Sequence, residues 1–161
     1  MDLIISHIEI MNNLSNLGEF TIGYKYCSNI KDRPQLHSTK DAFQVLKMIY
    51  DTDRLGIQEQ FVVVFLNNSN IVIGCCNLFT GSLNSTTVDL RLIIASALKL
   101  MATGIIISHN HPSGRMKASE SDILLTRRLK QALALIDIIL IDHIIISPFD
   151  EYLSLKEDGI F

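Results

Sequence analysis

The residues of this chain best suited to chemistry are two histidines one position apart and an aspartate that follows them: His109, His111 and Asp122. The histidines belong to the run Ser108-His109-Asn110-His111-Pro112-Ser113-Gly114, and Ser119 lies between that run and Asp122. Side chains alternate across an extended backbone with period two, so His109 and His111 point to one side of a strand and can meet one ion. Pro112 favours this geometry, because the residue before a proline is biased away from helical toward extended conformations. With Asp122 as third ligand, a set of nitrogen and oxygen donors leaves the fourth tetrahedral position for water. That opening separates a catalytic zinc site from a closed structural one. The chemistry implied is hydrolysis.

Each part also has an ordinary explanation. Ser119-x-x-Asp122 is a capping-box pattern, in which the serine oxygen and the acidic side chain satisfy backbone N–H groups left over in a first helical turn. A His-x-His pair ending an apolar strand can be packing alone. The combination is more specific, since capping requires no histidines upstream and a core strand requires no succession of Asn, His, Pro, Ser and Gly. Glu59 stands just before an apolar run, where by itself it reads as a solvated strand end. His143, with Asp142, interrupts two isoleucine-rich runs and reads as a turn or a satisfied buried histidine rather than a fourth ligand. A supporting contact from His143 to the site is also open. His7 and His37 belong to no motif and are expected at the surface.

The spacing of His-x-His, seven residues, a serine and then Asp three further on matches the JAMM metalloprotease motif, and the chain resembles the JAB/MPN domains that carry it. Within that superfamily it is most similar to the RadC-like branch. The likeness is carried by Glu59-Gln60-Phe61, Phe79-Thr80-Gly81, Ala97-Leu98-Lys99-Leu100, His109 to Gly114, Thr126-Arg127-Arg128-Leu129-Lys130 and Asp142-His143-Ile144-Ile145-Ile146. It covers roughly residues 38 to 161. The resemblance implies that His109, His111 and Asp122 hold Zn2+, that Glu59 is the general base toward the zinc-activated water, and that Ser119 donates a hydrogen bond to the oxyanion. It further implies a zinc-dependent hydrolase of peptide or isopeptide bonds with a peptide or protein substrate. The alternatives are a DNA-repair-associated RadC-like protein or a catalytically silent MPN interaction domain. Silent domains usually lose ligands, and this chain keeps the set.

Two stretches depart from the branch. Arg115-Met116-Lys117-Ala118 stands where an acidic or polar residue and prolines are usual, so the loop beside the metal is expected to be more flexible and more basic. Val88-Asp89-Leu90-Arg91-Leu92 stands where Val-His-Pro-Arg-Glu is usual. Neither change touches a ligand; both bear on substrate preference.

The elements that must position these residues follow from hydrophobic periodicity. Ser38 caps a helix to about Tyr50, with Ala42, Phe43, Leu46 and Ile49 at helical spacing. A polar link, Asp51 to Gly56, leads to apolar strands Phe61 to Leu66 and Ile71 to Phe79 around a hairpin turn, Asn67-Asn68-Ser69-Asn70. A second helix spans about Leu90 to Met101, with Ile94, Ala97, Leu98 and Met101 on its buried face and Gly104 as stop signal. The short strand Ile105 to Ser108 delivers the histidines. The loop Asn110 to Ala118 leads to a third helix, about Glu120 to Ile136, burying Leu125, Leu129, Ala132, Leu133 and Ile136. Strands Ile138 to Ile141 and Ile144 to Ile146 close the domain, and Phe20 to Tyr26 is a further strand near the N-terminus. Strands alternating with helices around one core give a single layered α/β domain, a mixed sheet flanked by helices. By resemblance this is the JAB/MPN-like, cytidine-deaminase-like fold over residues 38–161, with residues 1–37 an extension packed on it.

At 161 residues the chain suits one domain, able to bury roughly 70% of its unfolded surface. The branch's longer members carry an N-terminal helix-hairpin-helix module associated with DNA binding, and no such module is expected before residue 38. The net charge of -3 does not favour nucleic acid, and Arg127, Arg128 and Lys130 are best read as a solvated face. Although 48% of residues are apolar, no run approaches the ~20 needed to span a bilayer, and Asp2 stands where a signal peptide would be basic. Cys27, Cys75 and Cys76 suit a reducing compartment. Cys75 and Cys76 are expected to pack in the core, and the absence of a Cys-x-x-Cys disfavours a zinc deaminase. A soluble cytoplasmic protein without membrane contact is expected.

Overall fold

Five apolar segments pair into one mixed sheet in this computed structural model, which describes residues 32–80 and 88–161. The expected strand Phe20 to Tyr26, together with Cys27 and His7, lies outside the described residues. In chain order the elements are α1 (Thr39–Ile49), a short 3-10 turn (Thr52–Arg54), β1 (Gln60–Leu66), β2 (Val72–Thr80), α2 (Leu90–Lys99), β3 (Gly104–Asn110), α3 (Glu120–Ala134), β4 (Ile139–Ile146) and β5 (Tyr152–Ser154). The sheet order is β2-β1-β3-β4-β5, with β3 and β4 parallel and the other neighbours antiparallel.

Period-two alternation along β1 divides the core into two layers. Val62, Val64 and Leu66 face α1, where they pack with Phe43, Leu46 and Tyr50. Phe61, Val63 and Phe65 face the other way, against Ile93 and Ala97 of α2 and Leu129 and Leu133 of α3. Helices thus cover both faces, which is why β1 and β3 are buried along their whole length rather than in alternation. The expected helix cap at Ser38 is present, its oxygen accepting from the Asp41 backbone N–H. The hairpin turn is present as well, with Asn70 at φ 56 and the Asn67 side chain accepting from the Ser69 and Ile71 N–H groups.

Several expectations need correcting. The runs ending at Ile141 and beginning at Ile144 are one strand, β4, because Asp142 and His143 both find partners inside the sheet. Asp142, on the α1 face, accepts from Ser154 Oγ at 2.6 Å and from the His143 N–H at 2.7 Å. Burial outweighs these bonds and raises its pKa above the usual carboxylate range. A bulge at Ile141, two residues on β4 opposing one step on β3, turns Leu140 and His143 onto the same face. Strand β3 is longer than expected and contains His109 itself. Gly104 opens that strand instead of stopping α2: a Cβ there would lie 2.5 Å from Ile141 Cδ1, so its role is close packing. The helix stops at Met101, which takes the left-handed φ of 52, while the Ala102 N–H returns to the Ala97 carbonyl at 2.9 Å.

The buried face of α2 is Ile93 and Ala97; Leu98 and Met101 are exposed. Leu129 and Leu133 are buried on α3 as expected. Cys76 packs at the margin of the α2/α3 layer, but Cys75 is exposed because adjacent strand residues face opposite ways. β5, a short edge strand of mixed character, was not among the expected elements. Among the described residues no helix is long and apolar enough to cross a membrane.

Candidate metal centre

The parallel strands β3 and β4 bring His109 and His143 to one face of the sheet, and the loop after β3 returns to start α3 beside them. His109 is the second-last residue of β3. His111 follows the strand, its backbone N–H still bonded to the Ile146 carbonyl at 2.9 Å, so extended geometry continues through it. His109 Nε2 and His111 Nε2 are 3.0 Å apart. Asp122 Oδ1 is 3.3 Å from the first and Oδ2 is 3.8 Å from the second. One ligand atom from each of the three residues lies within 4.8 Å of the others. The spacing read from the sequence therefore converges in space.

These residues fit a zinc ion by geometry and by donor chemistry. Bonds of about 2.0–2.1 Å at tetrahedral angles place ligand atoms roughly 3.3 Å apart, and the observed separations bracket that value. His111 Nδ1 is 2.6 Å from the Arg115 carbonyl, which can only accept. The proton is therefore on Nδ1, and Nε2 turns a lone pair toward His109 and Asp122. An electron-rich concavity of this kind calls for a cation. The His109 side chain is 2% exposed, whereas those of Asp122 and His111 are 15% and 18% exposed, so the group is walled on one side and open on the other.

The opening leads into a cleft of about 430 Å³ lined by His111, Ser113, Arg115, Lys117, Ser119 and Glu120. Gly114 shapes its rim. With φ at 72 and a notional Cβ 2.5 Å from Phe149 Cε2, it is a position that glycine alone fits without strain.

Asp122 is oriented by the start of α3. Ser119 forms a full capping box with it: the Ser119 oxygen accepts from the Asp122 N–H at 3.2 Å, and Asp122 Oδ2 accepts from the Ser119 N–H at 2.7 Å. The Ser119 hydroxyl also donates to Oδ2 at 2.6 Å. Burial pushes the Asp122 pKa up, but the bonds from His109 and Ser119 and the His109 charge outweigh it and hold the carboxyl well below the usual range. The capping reading of Ser119 is thus present in the structure, and the same residue orients Asp122. Ser119→Ala is expected to cost about 1 kcal/mol of stability, the usual scale for a lost cap, measured by thermal melting. An unchanged melting temperature would mean the capping box carries no weight.

Glu59 immediately precedes β1. Phe61 pairs with His109 at the end of the antiparallel β1–β3 ladder, so Glu59 lies two residues before the strand position that faces His109. The two residues flanking Glu59 are held by Asn110, which is fully buried between the histidines. Asn110 Oδ1 accepts from the Gln60 N–H at 2.6 Å, and Nδ2 donates to the Gln58 and Leu55 carbonyls at 2.9 and 2.7 Å. Sequence reasoning missed this residue. Its signal was an amide in a strand otherwise destined for burial, which must find partners for its polar atoms.

Behind the ligands, His109 Nδ1 lies 2.8 Å from His143 Nε2, and His143 Nδ1 lies 2.6 Å from Thr126 Oγ1. His143 is therefore a buried histidine with partners, as one of its readings held, and no turn. Burial above all, then the neighbouring His109, lowers its pKa well below the ordinary imidazole value. Thr126 was also missed, although it stands one helical turn beyond Asp122 and on the same side of α3. His37 is exposed, and so are Arg127, Arg128 and Lys130, in keeping with a solvated face.

Comparison with known proteins bears on this geometry directly. A family model described as "RadC-like JAB domain" matches residues 36–160. A UPF0758 protein of Flavobacterium johnsoniae is 39% identical over 127 residues, which are 79% of this chain and 54% of that protein. A UPF0758 protein of Staphylococcus carnosus is 38% identical over 145 residues, 88% of this chain and 62% of the relative. The UPF0758 protein YeeS of Escherichia coli is 43% identical over 103 residues, 64% of this chain and 69% of YeeS. The chain thus spans little more than half the length of several relatives it matches.

Proposed function

The chain belongs to the RadC-like JAB domain family, and from that premise we propose that it is a zinc-dependent hydrolase of peptide or isopeptide bonds, acting in the cytoplasm on a peptide or protein substrate. The observation that carries this reading is the convergence of His109, His111 and Asp122 on one point at the mouth of an open cleft. A zinc ion held there supplies Lewis acidity and lowers the pKa of water toward neutrality.

The chain's own residues supply the rest. Glu59, just before β1, accepts the proton of the attacking water and delivers it to the leaving amine. Ser119 lines the cleft, and a hydroxyl donating to a developing oxyanion is typically worth roughly 3 kcal/mol. In the resting arrangement that hydroxyl is bonded to Asp122, so an oxyanion role requires it to swing toward the substrate. Arg115 and Lys117 make the cleft wall basic, with Glu120 as the acidic exception.

A silent interaction domain is disfavoured because the ligand set is whole and geometrically competent. A nucleic-acid substrate is disfavoured by the net charge of -3. The test is elemental analysis of the purified protein, followed by peptide hydrolysis before and after chelation. Stoichiometric zinc and chelator-sensitive cleavage are expected; a protein that takes up no metal would end the hydrolase reading.

A further inference from the structure

We propose that Thr126 and His143 form a directional hydrogen-bond relay that anchors His109 through Nδ1 and so aims its Nε2 at the ligand cluster. Both are positioning residues. Their effect on metal affinity rests on the zinc reading above, but the direction of the relay does not.

The direction follows from counting protons. Thr126 Oγ1 is 2.6 Å from the Asp122 backbone carbonyl, and a carbonyl only accepts, so the hydroxyl donates its single proton there. Toward His143 Nδ1, also 2.6 Å away, the hydroxyl can then only accept. His143 Nδ1 therefore carries a proton. A second proton on His143 would place a cation at a site with 0% exposure, on a ring whose nitrogens bond to His109 and Thr126 rather than to a carboxylate, a costly arrangement. His143 Nε2 is then an acceptor, and the 2.8 Å contact requires His109 Nδ1 to donate. The opposite tautomer of His109 would set two lone pairs against each other at that distance. Phe61 neighbours both rings, its centroid 6.4 Å from each, near-parallel to the His109 ring and edge-on to His143.

The relay also explains why Thr126 stands where it does. Asp122 and Thr126 are one turn apart on α3, so a single helix places a ligand through one side chain and orients the facing ligand through another. Partners of this kind typically change metal affinity by about 10–100-fold.

The experiment has two arms. In the first, long-range 1H–15N NMR of the metal-free protein, at a pH above the imidazole range, reads the tautomer of His143. Nδ1–H is expected, and Nε2–H on His143 would overturn the relay. In the second, zinc affinity is measured by competition with a chromophoric chelator for Thr126→Val, which keeps the shape and removes the hydroxyl, and for Thr126→Ser, which restores it. Thr126→Val is expected to bind zinc about 10–100-fold more weakly, with Thr126→Ser close to wild type. Wild-type affinity in Thr126→Val, with the His143 tautomer unchanged, would overturn the proposal. If the unmodified protein binds no zinc, the hydrolase reading fails while the NMR arm still decides the relay.

Discussion

His109→Ala is expected to abolish stoichiometric zinc binding, with an affinity loss larger than the roughly 10–100-fold typical of outer partners, because it removes one of the three candidate ligands found among the described residues. The variant has a second consequence. His143 Nε2, buried and bonded to His109 at 2.8 Å, loses its partner, and an unsatisfied buried acceptor costs about 1–3 kcal/mol. Metal loss could then follow from disturbed folding. His111→Ala reduces that ambiguity, since His111 stands at the open side of the group and its Nδ1 is bonded to a loop carbonyl, that of Arg115, rather than to a buried side chain. Zinc content by elemental analysis and melting by circular dichroism should therefore separate: both variants lose metal, and His111→Ala keeps the apo melting temperature. Full zinc retention in both would eliminate the assigned centre.

What could be read from the sequence is what local chemistry determines. The His-x-His pair, the downstream aspartate and the Ser38 and Ser119 caps depend on spacing and on backbone groups a few residues away, and all are found where expected. The helices and the β1–β2 hairpin were legible for the same reason, because apolar periodicity and turn residues are local signals. Elements that depend on tertiary pairing were not. Asp142 and His143 look like a break between two strands until β3, α3 and β5 supply their partners. Gly104 looks like a helix stop until Ile141 occupies the space its side chain would need.

The site divides along the same line. Its ligands are marked by residue type, but the groups that hold them are marked only by burial. Asn110, Thr126 and His143 are polar side chains inside a core, and their bonds reach across 52, 17 and 34 positions of sequence. Nothing in a single chain of letters indicates which distant carbonyl or imidazole will complete such a residue. A buried polar side chain is nevertheless costly unless paired, so its presence in an apolar run marks a position where tertiary structure must supply a partner.

Glu59→Gln is expected to lower hydrolysis by roughly 10²-fold or more, the scale of a lost general base, while leaving zinc content and melting unchanged. The substitution keeps shape and hydrogen-bonding reach but removes the proton acceptor. Its backbone neighbours are secured independently of its own side chain: Gln58 and Gln60 are both bonded to Asn110, itself buried between His109 and His111. The amide should therefore occupy the position of the carboxylate, and any loss of rate can be assigned to proton transfer rather than to displacement. Turnover of a chelator-sensitive peptide substrate, compared at equal zinc loading, measures this. Loss of zinc in Glu59→Gln would make Glu59 a ligand or a support of the metal, since the three-residue set would then be incomplete. Unchanged turnover at full zinc would place the base elsewhere, and Glu120 is the carboxylate that lines the cleft.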